Sequence, residues 1–292
     1  GEGSSSIEPR YTHDMDQWNS TFAAAHSPML FLREAAARIN GEDWPDLAML
    51  QGLLDEAGVS VASGRPLRLV PAGGKAPYEL RVYESAELEC RERNWHDLFN
   101  VLVWLAFPKA KAALNARHHA AWTADAGAGR GAVRDALTLF DESGLVVLSA
   151  QPELLQLIRD FRWKLLFWER RDAVMAGMCF LPFGHALCEK MLSPYRGMTG
   201  HALLLEVEAD TLALPMTELL SRLDMQLAGL LADPQALQTT RQLAPVPVLG
   251  VPGWYGDNVR AEYYDDTGYF RPGRSSRRAV SNALRKTGSK TE

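Results

Sequence analysis

Residues 94–100 bring several polar side chains together directly before an apolar run. His96 and Asn100 are four residues apart, so they share one face if the segment is a helix. Residues 101–107 are all apolar, and a polar side chain buried beside them would need a partner. An imidazole and an amide on one face can bind a metal ion or a polar ligand. We therefore predict that His96 and Asn100 contribute to a catalytic site.

Asp97 admits two interpretations. It stands three residues after Asn94, a favoured N-cap residue, in the position of a capping-box acid. A carboxylate next to His96 could also take part in acid–base catalysis. Asp97 is therefore a candidate catalytic residue, with helix capping as the simpler alternative.

A second polar stripe is predicted on the helix that follows Pro108. Lys111, Asn115 and His118 are separated by four and three residues, so they lie on one helix face. If this helix packs antiparallel to the preceding one, the stripe faces His96 and Asn100. The two stripes would then line a common pocket. This pocket would suit a metal ion or an anionic substrate, with Lys111 supplying positive charge. The alternative is a buried hydrogen-bond network without catalysis.

Two further segments could supply metal ligands. Asp141 follows the β-prone run 136–140 and precedes a second such run, 145–148, so we predict a hairpin with Asp141 at its turn. His185 and Glu189 stand at i and i+4, a spacing that can give two ligands to one metal ion. The alternative for Asp141 is that it only forms the turn. The alternative for His185 and Glu189 is an exposed ion pair. The candidate catalytic residues are His96, Asp97, Asn100, Lys111, Asn115, His118 and Asp141, and the candidate metal ligands are His96, Asp141, His185 and Glu189.

Missing motifs narrow the function classes. The sequence contains no Gly-x-x-x-x-Gly-Lys-Ser/Thr loop, no Gly-x-Ser-x-Gly elbow and no His-Glu-x-x-His pair. These absences disfavour ATP-dependent transfer, serine hydrolysis and ordinary zinc proteolysis. The three cysteines show no Cys-x-x-Cys spacing, so disulfides are not expected, which suits a cytoplasmic protein.

Charge is distributed unevenly along the chain. The net charge is -5, but the residues from Arg271 onward include seven basic side chains and one acidic side chain. We predict a disordered basic tail at 273–292, which could contact RNA or simply aid solubility. The acidic remainder argues against nucleic acid as the main partner.

The longest apolar run, 101–107, is too short to span a bilayer, so no membrane partner is expected.

The hydrophobic pattern predicts an α+β fold that is rich in helices. We expect a single globular domain over residues 11–272 with several short antiparallel hairpins, preceded at 1–10 by a leader that is either disordered or a cloning remnant. Helices do not alternate regularly with strands, which disfavours a doubly wound parallel sheet. Further hairpins are predicted where 67–70 and 78–83 flank a Gly-Gly turn, and around the turn at 265–268.

Several motifs resemble a bacterial family catalogued as domain of unknown function 3025. The longest is Asn-Trp-His-Asp-x-Phe-Asn-x-x-x-Trp-x-x-Phe-Pro-x-x-Lys-x-x-Leu-Asn, at residues 94–115. The likeness continues at 134–144, 183–189, 254–258 and 264–272. The resemblance implies that these segments belong to one domain, and it implies no particular activity.

Our leading hypothesis from the sequence is a cytoplasmic metal-assisted hydrolase that acts on a phosphorylated or otherwise anionic small substrate. A divalent metal ion would be its cofactor, because His, Asp, Asn and Glu are concentrated on otherwise apolar segments. One alternative is a non-catalytic binding or scaffold protein whose polar motifs hold the helices together. Another is an RNA-associated factor that uses the basic tail. The sequence leaves the oligomeric state open.

Overall fold

A computed structural model describes residues 17–125 and 131–273. Helices make up most of this part of the chain, and six short strands are interspersed among them. The α-helices are α1 (Phe22–Ala25), α2 (Arg33–Ala37), α3 (Leu47–Glu56), α4 (Tyr78–Ser85), α5 (Trp95–Ala106), α6 (Pro108–Ala124), α7 (Ala132–Ser143), α8 (Pro152–Arg159), α9 (Arg171–Gly177), α10 (His185–Met191), α11 (Ala209–Leu212) and α12 (Met216–Ala232). The strands are β1 (Arg68–Val70), β2 (Glu87–Glu89), β3 (Gly144–Ser149), β4 (Met178–Pro182), β5 (Thr199–Glu206) and β6 (Ala244–Pro247).

The larger sheet has the strand order β4-β3-β5-β6. Strand β3 runs antiparallel to β4 and parallel to β5, and β5 runs antiparallel to β6. All six residues of β3 are buried, as expected for a central strand that is covered on both faces. Strands β1 and β2 form a separate parallel pair. The buried apolar side chains of helices and strands form one continuous cluster.

Helices α5 and α6 meet at Pro108. In both helices, backbone amides of the first turn donate hydrogen bonds to side chains. The Asn94 side chain accepts a 3.0 Å hydrogen bond from the amide of Asp97, which caps α5. Pro108 is the first residue of α6, where its missing N–H costs nothing. Asp224 of α12 accepts hydrogen bonds from the amides of Lys109 and Ala110, at 3.1 and 2.8 Å. A neighbouring helix therefore supplies the cap that α6 lacks in its own sequence.

The prediction of a helix-rich α+β fold is confirmed, but the hairpins predicted at 67–83, 136–148 and 265–268 are wrong. Residues 136–140 belong to α7, because Ala136, Leu137 and Phe140 bury one helical face at offsets of one and three. Residues 78–83 lie in α4, and β1 pairs in parallel with β2 instead. The turn near 265–268 follows the 3₁₀-helix Ala261–Asp265 and joins no strands. The antiparallel strand pairs are instead connected through intervening helices.

The predictions for the two ends of the chain concern residues that the structure does not describe. The leader at 1–10 and the basic tail from residue 274 onward lie outside the described residues, and so does the RNA hypothesis that depends on the tail. Within 17–125 and 131–273, no helix combines the length and the apolar character needed to cross a bilayer.

Candidate metal centre

Three helices meet where His96, Glu142 and His185 lie. His96 belongs to the first turn of α5, Glu142 to the last turn of α7, and His185 is the first residue of α10. Helix α10 packs against both α5 and α7. The three side chains therefore come from widely separated parts of the sequence and reach one point.

The three side chains are close enough to share a metal ion. Each offers one ligand atom, and the three atoms all lie within 4.8 Å of one another. The Nε2 atom of His185 is 3.5 Å from Oε1 of Glu142, and the two imidazole rings have centroids 4.5 Å apart at an interplanar angle of 75°. Edge-to-face rings allow one nitrogen of each to point toward a common centre. Two imidazoles and a carboxylate are an established ligand set for catalytic zinc.

Two glycines let the backbone segments approach closely enough to form this cluster. The carbonyl of Gly144 accepts hydrogen bonds from the amides of Phe183 and Gly184, both 2.9 Å long. A Cβ atom on Gly184 would lie 2.4 Å from both the Glu142 carbonyl oxygen and the Gly144 amide nitrogen. Both are backbone atoms, so no side-chain movement could relieve the clash. Glycine at position 184 thus allows the start of α10 to rest on the end of α7.

Glu189 orients His96 from the far side of the ring. Its Oε2 atom is 3.0 Å from Nδ1 of His96, and both side chains are about one-third exposed. This hydrogen bond raises the pKa of His96, although partial burial acts in the opposite direction. A hydrogen bond from Nδ1 to a carboxylate leaves Nε2 as the nitrogen available to a metal ion, an arrangement common around metal-bound histidines.

His185 is a neutral imidazole in a buried position. Burial lowers its pKa to about 3, and the charges of Lys111 and His96 act in the same direction. Its Nδ1 atom is buried and forms no hydrogen bond of normal geometry. The pKa of Glu142 is raised by burial and by the charge of Asp141. A cation bound between Glu142 and His185 would favour the charged carboxylate and needs the neutral imidazole.

A buried ionic network lies behind His185. The Nζ atom of Lys111 is 2.5 Å from Oδ1 of Asp141 and 3.0 Å from Oδ1 of Asn100. The Asn100 amide in turn donates to the Tyr78 hydroxyl at 3.0 Å. Burial acts to raise the pKa of Asp141, but the positive charge of Lys111 and its hydrogen bond outweigh burial, and the pKa is lowered. Asp141 is therefore an ionised partner of Lys111. It lies close to the three candidate ligands His96, Glu142 and His185, which we call the metal cluster, without belonging to them.

Asn115 and His118 line a small polar cavity next to this network. The cavity has a volume of about 10 Å³, and Tyr78, Lys111 and Asp141 also border it. The Asn115 amide donates to the backbone carbonyl of Glu79 at 2.8 Å, but its Oδ1 atom is buried without a partner. The volume is near the minimum for a single water molecule, and the lining offers polar side chains beside the apolar Trp104 and Leu114. Asn115 and His118 therefore belong to a solvent-sized cavity in the helix packing.

Asp97 points away from the cluster. Its two carboxylate oxygens accept hydrogen bonds from Nε and Nη2 of Arg91 at 2.8 and 2.9 Å, and the Arg91 amide adds a third bond of 2.8 Å. These bonds with Arg91 lower the pKa of Asp97 despite partial burial. Asp97 thus ties the start of α5 to the preceding loop.

The sequence-based candidates separate into three groups in space. His96 and His185 come together, and Glu189 contacts His96. Asp141, Lys111 and Asn100 form the network behind them, with Asn115 and His118 beyond it, while Asp97 faces Arg91. Glu142 is the ligand candidate that the sequence interpretation missed. Assigning residues 132–143 to a helix would have placed Glu142 at its end, next to the Gly144 junction.

The metal cluster is at a partly exposed surface. The Glu142 side chain is 41% exposed, so a ligand could reach the cluster from solvent. Three larger cavities, of about 760, 710 and 400 Å³, are lined by other residues.

Comparison with known proteins matches the chain to a family. Comparison with curated proteins and with solved structures found no match. The family described as "Protein of unknown function (DUF3025)" matches residues 67–274, which include His96, Glu142, His185 and Glu189. The match covers well over half of the sequence, and the chain belongs to the DUF3025 family.

Proposed function

We propose that the protein is a metal-dependent hydrolase in which His96, Glu142 and His185 hold a divalent cation. The observation that carries the proposal is the convergence of these three ligand atoms within 4.8 Å, from three different helices. Three protein ligands leave one position of a tetrahedral site open, which is typical of catalytic rather than structural zinc. Such an ion would lower the pKa of a bound water and polarise the bond that is attacked.

The surrounding residues would act through these ligands. Glu189 would fix the orientation of the His96 ring and increase the basicity of its second nitrogen. Burial keeps His185 neutral and therefore ready to ligate at any physiological pH. The Lys111–Asp141 pair would hold α6 and α7 in place directly behind the ligands. Lys111 is 2% exposed and engaged with Asp141, so we assign it no contact with substrate.

The substrate we propose is a small phosphorylated or otherwise anionic molecule. Glu142 and Glu189 supply negative charge at the cluster, so an anion could bind only with the cation in place. Lys190, exposed beside Glu189, is a positive group whose charge acts on Glu142. The proposal therefore predicts that substrate binding depends strictly on the metal ion.

The test is metal-dependent hydrolysis of p-nitrophenyl phosphate and its diester, with Zn²⁺, Mn²⁺ and Mg²⁺ supplied separately. We expect Glu142→Gln and His185→Gln each to reduce kcat/KM by at least about 100-fold, because metal-ion catalysis is worth several kcal/mol. His119→Gln is the matched control, since His119 stacks on Tyr83 and lies near Glu84. Activity that survives both ligand substitutions, or that needs no metal ion, would contradict the proposal.

A scaffold function is the second candidate, and the buried network favours it. Lys111, Asn100 and Asn115 all bond to protein groups in the interior, as residues with a structural role do. On this alternative Asn100→Ala and Asn115→Ala would destabilise the fold strongly. The protein would then have no metal-dependent activity for His185→Gln to remove, and added metal ions would leave its melting temperature unchanged.

A further inference from the structure

A cavity distinct from the metal cluster lies at the opposite end of α10 from His185. It is a cavity of about 400 Å³ that borders Met191, at the C-terminal end of this helix. Six residue rises separate His185 from Met191, or about 9 Å along the axis. The volume is within the range of small-molecule binding sites. The metal cluster shares no residue with it.

Arg171 lines this cavity, and neutral groups hold it in place. Its Nη1 atom donates to the backbone carbonyl of Asn258 at 2.9 Å, and Nη2 lies 3.3 Å from the Asn258 side-chain oxygen. Weaker contacts of 3.4 Å reach the Phe167 carbonyl and the Tyr264 hydroxyl. Within the described part of the chain, no carboxylate forms an ion pair with Arg171. Its positive charge is thus oriented but not neutralised.

Asn258 is itself locked by the interior. It is completely buried, and its Nδ2 atom donates to the carbonyls of Leu249 and Val251 at 3.0 and 2.7 Å. Because Asn258 cannot move without breaking these bonds, the guanidinium of Arg171 is preorganised. Preorganised guanidinium groups bind carboxylates and phosphates well, because little entropy is lost on binding.

The charge of the cavity lining favours an anion. Arg171 and His26 are its titratable basic residues, and the residues that border it include no Asp or Glu. An anion that entered would meet an unpaired guanidinium and no competing carboxylate.

Aromatic side chains form another part of the wall. Trp254 and Tyr255 border the cavity and are each half-buried. Gly253 precedes them with a φ of 81°, a left-handed conformation that other residues adopt at a cost. The chain thus turns directly before the two aromatic residues. Planar ligands stack on such side chains.

We propose that this cavity binds a small molecule in which an aromatic ring carries an anionic group, either phosphate or carboxylate. Arg171 would pair with the anionic group, and Trp254 and Tyr255 would contact the ring. The site is independent of the metal cluster, so its ligand is recognised whether or not the hydrolase proposal holds. Phe167, Asn258 and Tyr264 are positioning residues for Arg171.

Calorimetric titration of the full chain with phenyl phosphate, benzoate, benzyl alcohol and inorganic phosphate tests the proposal. We expect at least one of the two aromatic anions to bind more tightly than both neutral benzyl alcohol and ring-free inorganic phosphate. The tighter aromatic anion identifies the anionic group. Arg171→Gln should weaken its binding by at least about tenfold, since a charged hydrogen bond is lost. Arg260→Gln is the matched control, because Arg260 is exposed, lies near Asp257 and does not border the cavity.

A second pair of variants keeps the test decisive if loss of Arg171 impairs folding. Val259 is 62% exposed at the edge of the cavity, so its substitution leaves the interior intact. Val259→Glu should weaken binding of the aromatic anion severalfold by repulsion, whereas Val259→Gln should not. Equal affinities in these two variants would overturn the proposal. Failure of both aromatic anions to bind, or binding no tighter than that of benzyl alcohol or inorganic phosphate, would also overturn it.

Discussion

The amide of Gly184 donates a 2.9 Å hydrogen bond to the carbonyl of Gly144. This bond joins the residue before α10 to the residue after α7, and it brings His185 next to Glu142. The metal cluster therefore depends on a backbone contact between two glycines that bind no ligand themselves. Helix α5 then adds His96 by packing on α10.

Gly184→Ala should damage both the fold and the cluster. The new Cβ atom would meet two backbone atoms at 2.4 Å, so the chain must shift. We expect a loss of about 1–3 kcal/mol in the free energy of unfolding, the usual cost of overpacking, together with weaker metal binding. Urea unfolding and a metal titration would measure the two effects.

Gly52→Ala is the control for this substitution. Gly52 lies within α3, and a Cβ atom there would meet nothing within 4 Å. Alanine should stabilise the helix by about 0.5–1 kcal/mol, since glycine is a poor helix former. Equal effects of the two substitutions would show that position 184 is not constrained as described.

Lys111→Met should be among the most destabilising single substitutions in this chain. Lys111 is 2% exposed and pairs with Asp141, so its removal leaves a buried carboxylate without a counter-charge. The expected loss is about 3–5 kcal/mol in the free energy of unfolding. Chemical denaturation at neutral pH would measure it.

The double variant Lys111→Met, Asp141→Asn separates the loss of charge pairing from the loss of packing. Because the second substitution removes the stranded charge, we expect the double variant to be more stable than Lys111→Met alone. A double variant that is less stable than the single one would mean that Asp141 is not charged in the native protein.

Metal affinity should rise with pH, because of His96. Its pKa is raised by the hydrogen bond to Glu189, so the metal-free protein holds this proton to a higher pH than an ordinary histidine does. The metal ion must displace the proton, so the affinity increases with pH and levels off above the raised pKa of His96. His185, with a pKa of about 3, stays neutral throughout this range.

Glu189→Gln provides the comparison for the pH profile. The glutamine cannot stabilise the charged imidazole in the same way, so the rise in affinity should shift to lower pH. The plateau affinity should also fall by about 10- to 100-fold, as for other outer-shell partners of metal-bound histidines. Competition with a fluorescent chelator between about pH 5 and about pH 9 would record both changes. A profile identical to that of the parent would exclude a role for Glu189.

Much of the helical framework follows from the sequence alone. The structure agrees with three local signals. Asn94 caps α5, Pro108 begins α6, and α12 carries an apolar face at helical spacing. The apolar pattern of residues 153–174 predicts one long helix, but the structure interrupts it near Phe161, whose φ is 57°. The sequence offers no glycine there to indicate the break.

The site was only partly predictable, because its geometry is set by tertiary contacts. His96 and His185 could be singled out as imidazoles on apolar segments. Glu142 is not joined to them by the sequence, because a hairpin at 136–148 places Glu142 in a turn. The β-prone residues of 137–140 favoured the strand, but burial of Ala136, Leu137 and Phe140 on one face determines the helix. At residues 136–140, side-chain packing therefore outweighs the local preference for a strand.

Anomalous diffraction from crystals soaked in Zn²⁺ would test the claim that His96, Glu142 and His185 bind one cation. We expect one strong anomalous peak about 2.0–2.2 Å from a nitrogen of each histidine and an oxygen of Glu142. The peak should vanish in crystals of Glu142→Gln combined with His185→Gln. No peak between these side chains, or one that persists in the double variant, would contradict the claim.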